Sequence, residues 1–355
     1  MARVCQATVP GPCDPDSAAA RTAAVGGYLA VANESVPGLS DVCRIRAKGR
    51  IPAAPSQHNR DMYRSVVLLL FGILFVPSPA VAWGAGAHQF VMGRAIDLLP
   101  SEIARFFQTR RGELLLRVND PDLWRVVGWD EGHHHFLDFG AAPFGQFPFS
   151  ALPRDYDAAL AKFGAATLHE YGDLPWRTAE MVDKVRDAFV RIGRRAPFAE
   201  SDLVLFSAAA AHYLQDAHQP LHAHANYDGQ QTGQRGVHAR FESGLFERFE
   251  RRLTVRSGSP EPITDIREST FEVLLDSYQL VPGLPEADRV ARRGRDGYDD
   301  EHFEGFLVRV KPLLERRLGD AITATAGMIL GAWDQAGQPR IRARQGWQSR
   351  GAQLH

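Results

Sequence analysis

Five side chains within a 31-residue stretch, His212, Asp216, His222, His238 and Glu242, have the types and spacing of metal ligands. His212 and Asp216 stand four apart in HYLQDAHQPLH, which runs to His222. On a helix that spacing places an imidazole and a carboxylate one turn apart on one face, where both reach a single cation. Pro220 stops such a helix and frees His222 to turn toward a second cation. In GVHARFE, His238 and Glu242 are again four apart. Imidazole with carboxylate is the donor set zinc takes when no cysteine is offered. The competing reading, a merely polar helix face, fits poorly beside the apolar run LVLFSAAAA. His218, two residues past Asp216, points off the ligand face and reads as a structural hydrogen-bonding group, while His224 fits either role.

Upstream, DPDLWRVVGWDEGHHHFLDF contains Asp122, Arg125, three histidines ending at His135, Phe136 and Asp138, and WGAGAH runs from Trp83 to His88. In motif order, Trp83 to Glu242 resembles the zinc-dependent phospholipase C and single-strand-specific nuclease superfamily, helical enzymes with three zinc ions in one cleft. The resemblance implies nine ligands. Asp122, His135, His212 and Asp216 would hold one zinc, and His222, His238 and Glu242 another. The third would take His88, Asp216 as a bridge, and the amino group and carbonyl of Trp83, provided that Trp83 begins the mature enzyme.

The sequence meets that proviso. From Met62 it reads MYRSVVLLLFGILFVPSPAVA: one early Arg, an apolar core from Val66 to Val76, a helix-breaking PSP, and small residues before Trp83. Cleavage between Ala82 and Trp83 leaves Trp83 with a free amine and sends the protein to the periplasm or outside the cell. The 11-residue apolar run is well short of the ~20 residues a bilayer span needs, so no permanent membrane anchor is expected. Residues 1–61, rich in Pro, Ala, Gly and Arg, read as a disordered leader or an over-long start, with a cytosolic extension as the alternative. They hold all three cysteines, so the mature chain has no disulfide.

The ligands need helices to carry them. Apolar periodicity and capping signals predict helices over about 87–98, 101–117, 155–170, 176–193, 201–217, 236–254, 263–280 and 301–335, with almost no strand signal. The expectation is an all-α, multi-helix phospholipase C/nuclease-like fold with a trinuclear zinc cleft, in one domain over 83–355 that has no linker dividing it. The loop Asn226 to Gly236 is expected to rim the cleft. A net charge of −1 and a pI near 6.9 exclude a broad basic face for duplex DNA.

The implied chemistry is phosphodiester hydrolysis, since zinc lowers the pKa of bound water and holds phosphoryl oxygens. Asp216 would bridge two metals, and Arg125, one turn after Asp122, would stabilise the transition-state charge. A single-stranded DNA or RNA substrate cut to 5′-phosphates is favoured by the WGAGAH spacing, by DLWR, and by HFLD, where Phe136 would stack a base and Asp138 bond its edge; the other reading of Phe136 is a core aromatic. Phospholipid is the alternative substrate. It is favoured by Glu242 where the nucleases carry Asp, by only 15 residues between His222 and His238, and by Ala87 in place of the usual Gly. A non-catalytic periplasmic zinc-binding protein would use the same ligands without an open coordination position. A helical haem protein would leave the carboxylates unexplained. No stable protein partner is expected.

Overall fold

Strong helix formers crowd this chain, and helices fill the computed structural model, which describes residues 84–341. The leader (1–61), the signal segment (62–82) and Trp83 lie outside the described residues. In chain order the helices are α1 (Ala85–Asp97), α2 (Ser101–Thr109), α3 (Arg111–Arg117), α4 (Asp120–Val126), α5 (Tyr156–Phe163), α6 (Ala165–Tyr171), α7 (Leu174–Gly193), α8 (Ala199–Ala217), α9 (Val237–Ala239), α10 (Leu245–Phe249), α11 (Ile266–Leu280), α12 (Gly283–Arg292) and α13 (Asp300–Gln335). Among the described residues no strand forms; one isolated parallel bridge pairs Phe139 with His224. No helix among them is long and apolar enough to cross a membrane.

The all-α expectation holds, with local differences. The helix predicted over 101–117 is two, because the backbone turns at Arg110 (φ −98, ψ 6), and that over 155–170 divides at Gly164. Helices α4 and α12, of 7 and 10 residues, are not among the predicted elements; both are shorter than the roughly 11–18-residue window in which helical periodicity is read. The segment 236–254 is not one helix: α9 passes through a π turn, Arg240–Gly244, into α10 and a 3₁₀ turn, Glu250–Arg252.

Helix α8 is the axis of the fold. Ala208–Ala211 sit at its centre, fully buried, combining the best helix propensity with a surface small enough for close packing along α7. Large side chains such as Met92, Phe107, Phe189, Tyr213 and Ile322 fill the space around it; burying each is worth about 1.5–3 kcal/mol. The end of α8 is tied down by buried polar groups: Ser277 Oγ donates to the Ala217 carbonyl (2.7 Å) and Arg317 Nε to that of His218 (2.8 Å). These bonds satisfy terminal carbonyls that the helix itself leaves open. The 36-residue α13 carries Gly331, where a Cβ would overlap the Ile263 carbonyl, so the extended chain around 253–264 lies directly on the helix.

Candidate metal centre

Eight of the nine expected ligands are among the described residues, and the fold brings all eight together. Three groups form, His88–Asp122–His212, His135–His212–Asp216 and His222–His238–Glu242, each with its donor atoms within 4.8 Å of one another. Asp216 lies at the centre. Its Oδ2 is 3.0 Å from His135 Nδ1 and 3.3 Å from His212 Nε2, and its Oδ1 is 3.4 Å from His88 Nε2 and 4.0 Å from His222 Nδ1. Asp122 groups with His88 and His212, and its Oδ1 is 3.9 Å from His135 Nδ1. Glu242 Oε2 is 2.9 Å from His238 Nε2. The ninth ligand, Trp83, is outside the described residues, so the remaining donors to the third expected zinc are not described.

The eight donors come from several local devices. Helix α8 supplies His212 and Asp216 one turn apart, α1 supplies His88, and α4 supplies Asp122. His135 ends a short 3₁₀ turn, Gly132–His135, and His222 sits in another, Pro220–Ala223, begun by the proline. His238 and Glu242 bracket the start of the π turn, a distortion that recurs at functional sites. Arg240, between them, is buried and makes a two-pronged pair with Asp288 (2.8 Å on both arms), which fixes that segment against α12.

Hydrogen bonds on the far ring nitrogens set the imidazole tautomers. His212 Nδ1 donates to the Val118 carbonyl (2.8 Å), His222 Nδ1 to that of His135 (2.5 Å), and His88 Nδ1 to Gln215 Oε1 (2.7 Å). In the neutral rings the three Nε2 atoms are therefore bare, and they point inward. His212 Nε2 faces His135 Nδ1 at 3.1 Å, and His222 Nε2 faces His238 Nε2 at 3.0 Å. Both Asp122 oxygens, Asp216 Oδ1, Glu242 Oε1 and His88 Nε2 are buried without a hydrogen-bond partner. Leaving a polar group so costs about 1–3 kcal/mol. Ring nitrogens 3.0–3.1 Å apart, with buried carboxylate oxygens unsatisfied, fit cations at the points of convergence, and the donor set is one zinc accepts.

The electrostatics agree. Burial alone would raise the Asp216 carboxyl, but the His212 and His222 imidazoles hold it well below the usual carboxylate range. Glu242 is likewise lowered, against its burial, chiefly by His238. Burial drives His212 well below the ordinary histidine value and raises Asp122. Burial opposes the charge on His222, yet Asp216 and Glu242 lift its pKa to about 9.

Beside the cluster opens a cavity of about 330 Å³, with His135, His222 and His238 on one side and Phe136, Asp138 and Tyr227 among its walls. Arg125 and Glu170 also line it. Arg125 Nη2 is 3.5 Å from Asp122 Oδ1. Nearby, Glu131 is engaged by the Tyr213 hydroxyl and by Arg177 (3.5 Å), and Asp130 by His169 (2.9 Å). Phe136 is half-buried at the cavity wall. Burial pushes the Asp138 carboxyl up to about 7, against the charge of His222. Gly172, at φ +90, lets α6 end against the Phe136 backbone, whose carbonyl a Cβ there would overlap. Tyr227 comes from the loop expected to rim the cleft. A larger hollow of about 420 Å³ near Tyr156, Trp176 and Arg177 contains none of the eight donors.

His218 donates Nδ1 to the Leu214 carbonyl (2.8 Å), off the ligand face, as its position predicts. His224 is outside the cluster; its Nδ1 accepts from Asn226 N (2.8 Å) and its ring stacks on Tyr278 (5.1 Å, 12°). Sequence reasoning missed the orienting glutamines. Gln219 donates Nε2 to Glu242 Oε2 (3.0 Å) and accepts from Leu221 N (2.6 Å), and Gln215 holds His88. Their only signal was position, Gln215 three residues past His212 and Gln219 just before Pro220. No protein-family model and no curated protein matches this chain.

Proposed function

We propose that this chain is a secreted or periplasmic zinc-dependent phosphodiesterase, an endonuclease that hydrolyses single-stranded DNA or RNA to 5′-phosphates. One observation carries the reading: eight buried imidazole and carboxylate side chains converge beside a cavity that also holds Arg125, Phe136 and Asp138. When bound, zinc would supply Lewis acidity, polarising a water and the phosphoryl oxygens. His212, Asp216, Asp122 and His135 would hold one ion, His222, His238 and Glu242 a second, and His88, Asp216 and Trp83 a third.

The remaining steps belong to the protein's own side chains. Arg125 presents a planar fork to non-bridging phosphoryl oxygens, which gain charge in the transition state. As the oxygen of a water molecule bonds to phosphorus, the phosphorus–O3′ bond breaks, the phosphate stays on the 5′ side, and the proton the water loses balances the one the 3′ oxygen takes up. Phe136 offers a flat apolar wall on which a base can stack. Asp138, whose carboxyl burial pushes up, can donate to a base edge when protonated and accept from one when ionised.

A phospholipase C reading has its own support. Leu123, Val126, Val127 and Trp129, on and just after the helix that carries Arg125, are 55%, 65%, 69% and 62% exposed. Such a surface suits a membrane interface. Purified mature protein assayed in parallel on single-stranded DNA and on phosphatidylcholine vesicles, with chelator and zinc re-addition, separates the two. Zinc-dependent release from DNA alone supports the nuclease and release from phosphatidylcholine alone the lipase. Zinc binding without release from either would leave a non-catalytic zinc-binding protein.

A further inference from the structure

A second set of imidazoles lies outside the cleft, and none of its members is among the ligands described above. Asp130 follows α4, His133 sits in the 3₁₀ turn ahead of His135, and His169 is in the last turn of α6. Their donor atoms all lie within 4.8 Å of one another. His169 Nε2 is 2.9 Å from Asp130 Oδ1, and His133 Nδ1 is 3.7 Å from the same oxygen. The His133 and His169 rings are 4.3 Å apart, so the two imidazoles are already gathered.

His133 supplies the deciding feature. Its Nδ1 is shielded from solvent and has no hydrogen-bond partner. Its Nε2 faces Asp173 Oδ2 at 3.7 Å, which favours the tautomer protonated at Nε2 and leaves Nδ1 as a bare lone pair aimed at Asp130. A carboxylate behind a histidine whose other nitrogen is free is the arrangement that orients imidazoles toward metals. The neighbouring grouping His133–His134–Asp173 is weaker, because Asp173 Oδ1 already accepts from His134 Nδ1 at 2.6 Å.

We propose that Asp130 Oδ1, His133 Nδ1 and His169 Nε2 form a peripheral site for a divalent transition-metal cation, separate from the cleft. Two imidazoles and one carboxylate, with the remaining positions open to water, suit Zn²⁺ or Cu²⁺ rather than Mg²⁺ or Ca²⁺. On binding, the cation takes the place of the hydrogen between His169 Nε2 and Asp130, and the neutral ring keeps its proton on Nδ1. The cation then ties the turn that carries His135 and Phe136 to α6, whose Glu170 lines the cleft. Because Asp130 and His169 are exposed, this site is weaker than the buried cluster.

The test loads the full mature chain with zinc until the tight equivalents are filled, then titrates further Zn²⁺ by calorimetry and follows Cu²⁺ by electron paramagnetic resonance. Expected is one additional, weaker equivalent and a Cu²⁺ signal split by two nitrogens. His169→Ala and Asp130→Asn, both at exposed positions, should each weaken that equivalent by at least about tenfold, the loss that even outer-layer partners of a metal can cause. His169→Ala should also remove one nitrogen from the splitting, with the tight equivalents unchanged. Absence of a further equivalent, or one unaltered in both variants, overturns the proposal. Failure of the cleft reading would show separately, as missing tight equivalents in the wild type.

Discussion

Asp216→Asn removes one charge and almost no volume at the point where the cluster converges. The carboxylate is fully buried and its oxygens lie 3.0 to 3.4 Å from donor nitrogens of His135, His212 and His88. In the proposed assignment it serves two zinc ions, while His222, His238 and Glu242 hold the other without it. Zinc content by elemental analysis should therefore fall from three per mature chain to about one. Each site kept at a free zinc concentration 1,000 times its Kd stabilises the folded state by about 4 kcal/mol. Two lost sites amount to about 8 kcal/mol, which at roughly 2–4 °C per kcal/mol for a domain of this size lowers Tm by about 16–32 °C. Chelator should bring the wild type down by at least as much, and should lower the variant much less, since only one site remains to empty. An Asp216→Asn protein that keeps three zinc ions, or a chelator-induced drop equal in both proteins, would refute the shared-carboxylate arrangement.

Gln219→Leu removes the donor to Glu242 and should weaken zinc about 10–100-fold at the His222–His238–Glu242 site only, read by competitive chelator titration; uniform weakening at all sites would count against it. Gly172→Ala forces a Cβ onto the Phe136 carbonyl at φ +90 and should destabilise by more than about 1 kcal/mol in urea unfolding, with an unchanged midpoint as the contrary result. Arg125→Ala should lower turnover about 100- to 1,000-fold with zinc content retained, and Arg125→Lys should recover part of the loss; near-normal turnover would make Arg125 no more than the partner of Asp122. One extra residue before Trp83 turns its amine into an amide and should weaken one zinc selectively; equal zinc content and activity with and without it would remove Trp83 from the ligand set.

What was legible in the sequence is what local geometry determines. The pairs His212/Asp216 and His238/Glu242 show because each needs only a helix to bring its members together, and Pro220 marks where the chain must turn toward His222. His88 and Asp122 emerged only through motif order, since nothing local ties α1 or α4 to α8. The tautomer-setting acceptors were invisible for the same reason: the Val118 and His135 carbonyls are 94 and 87 residues from the rings they hold. Helix α4 was missed although it carries Asp122 and Arg125, because a 7-residue helix opened by Asn-Asp-Pro shows capping chemistry but no repeating apolar stripe. The π turn at Glu242 was read as ordinary helix, because a one-residue widening leaves the i, i+4 pattern in place.

In the proposed reading, most metal-binding groups sit on helices while several substrate-facing groups sit on turns and loops, so the same ligands are compatible with more than one substrate. Most of the ligands sit on helices fixed by buried bonds, such as Arg317 at the end of α8 and Arg240 with Asp288 at the π turn. The groups that would discriminate a nucleobase from a lipid are Phe136, Asp138 and Tyr227 at the cavity and, outside its lining, the exposed Leu123, Val126, Val127 and Trp129. Loops tolerate replacement without disturbing a scaffold whose polar groups are satisfied elsewhere. In the proposed reading, one ligand framework is compatible with either diester. The choice falls to whether Phe136 and Asp138 engage a base or the exposed Leu123, Val126, Val127 and Trp129 engage a membrane, and changing either group should alter substrate preference while leaving the zinc count as it is.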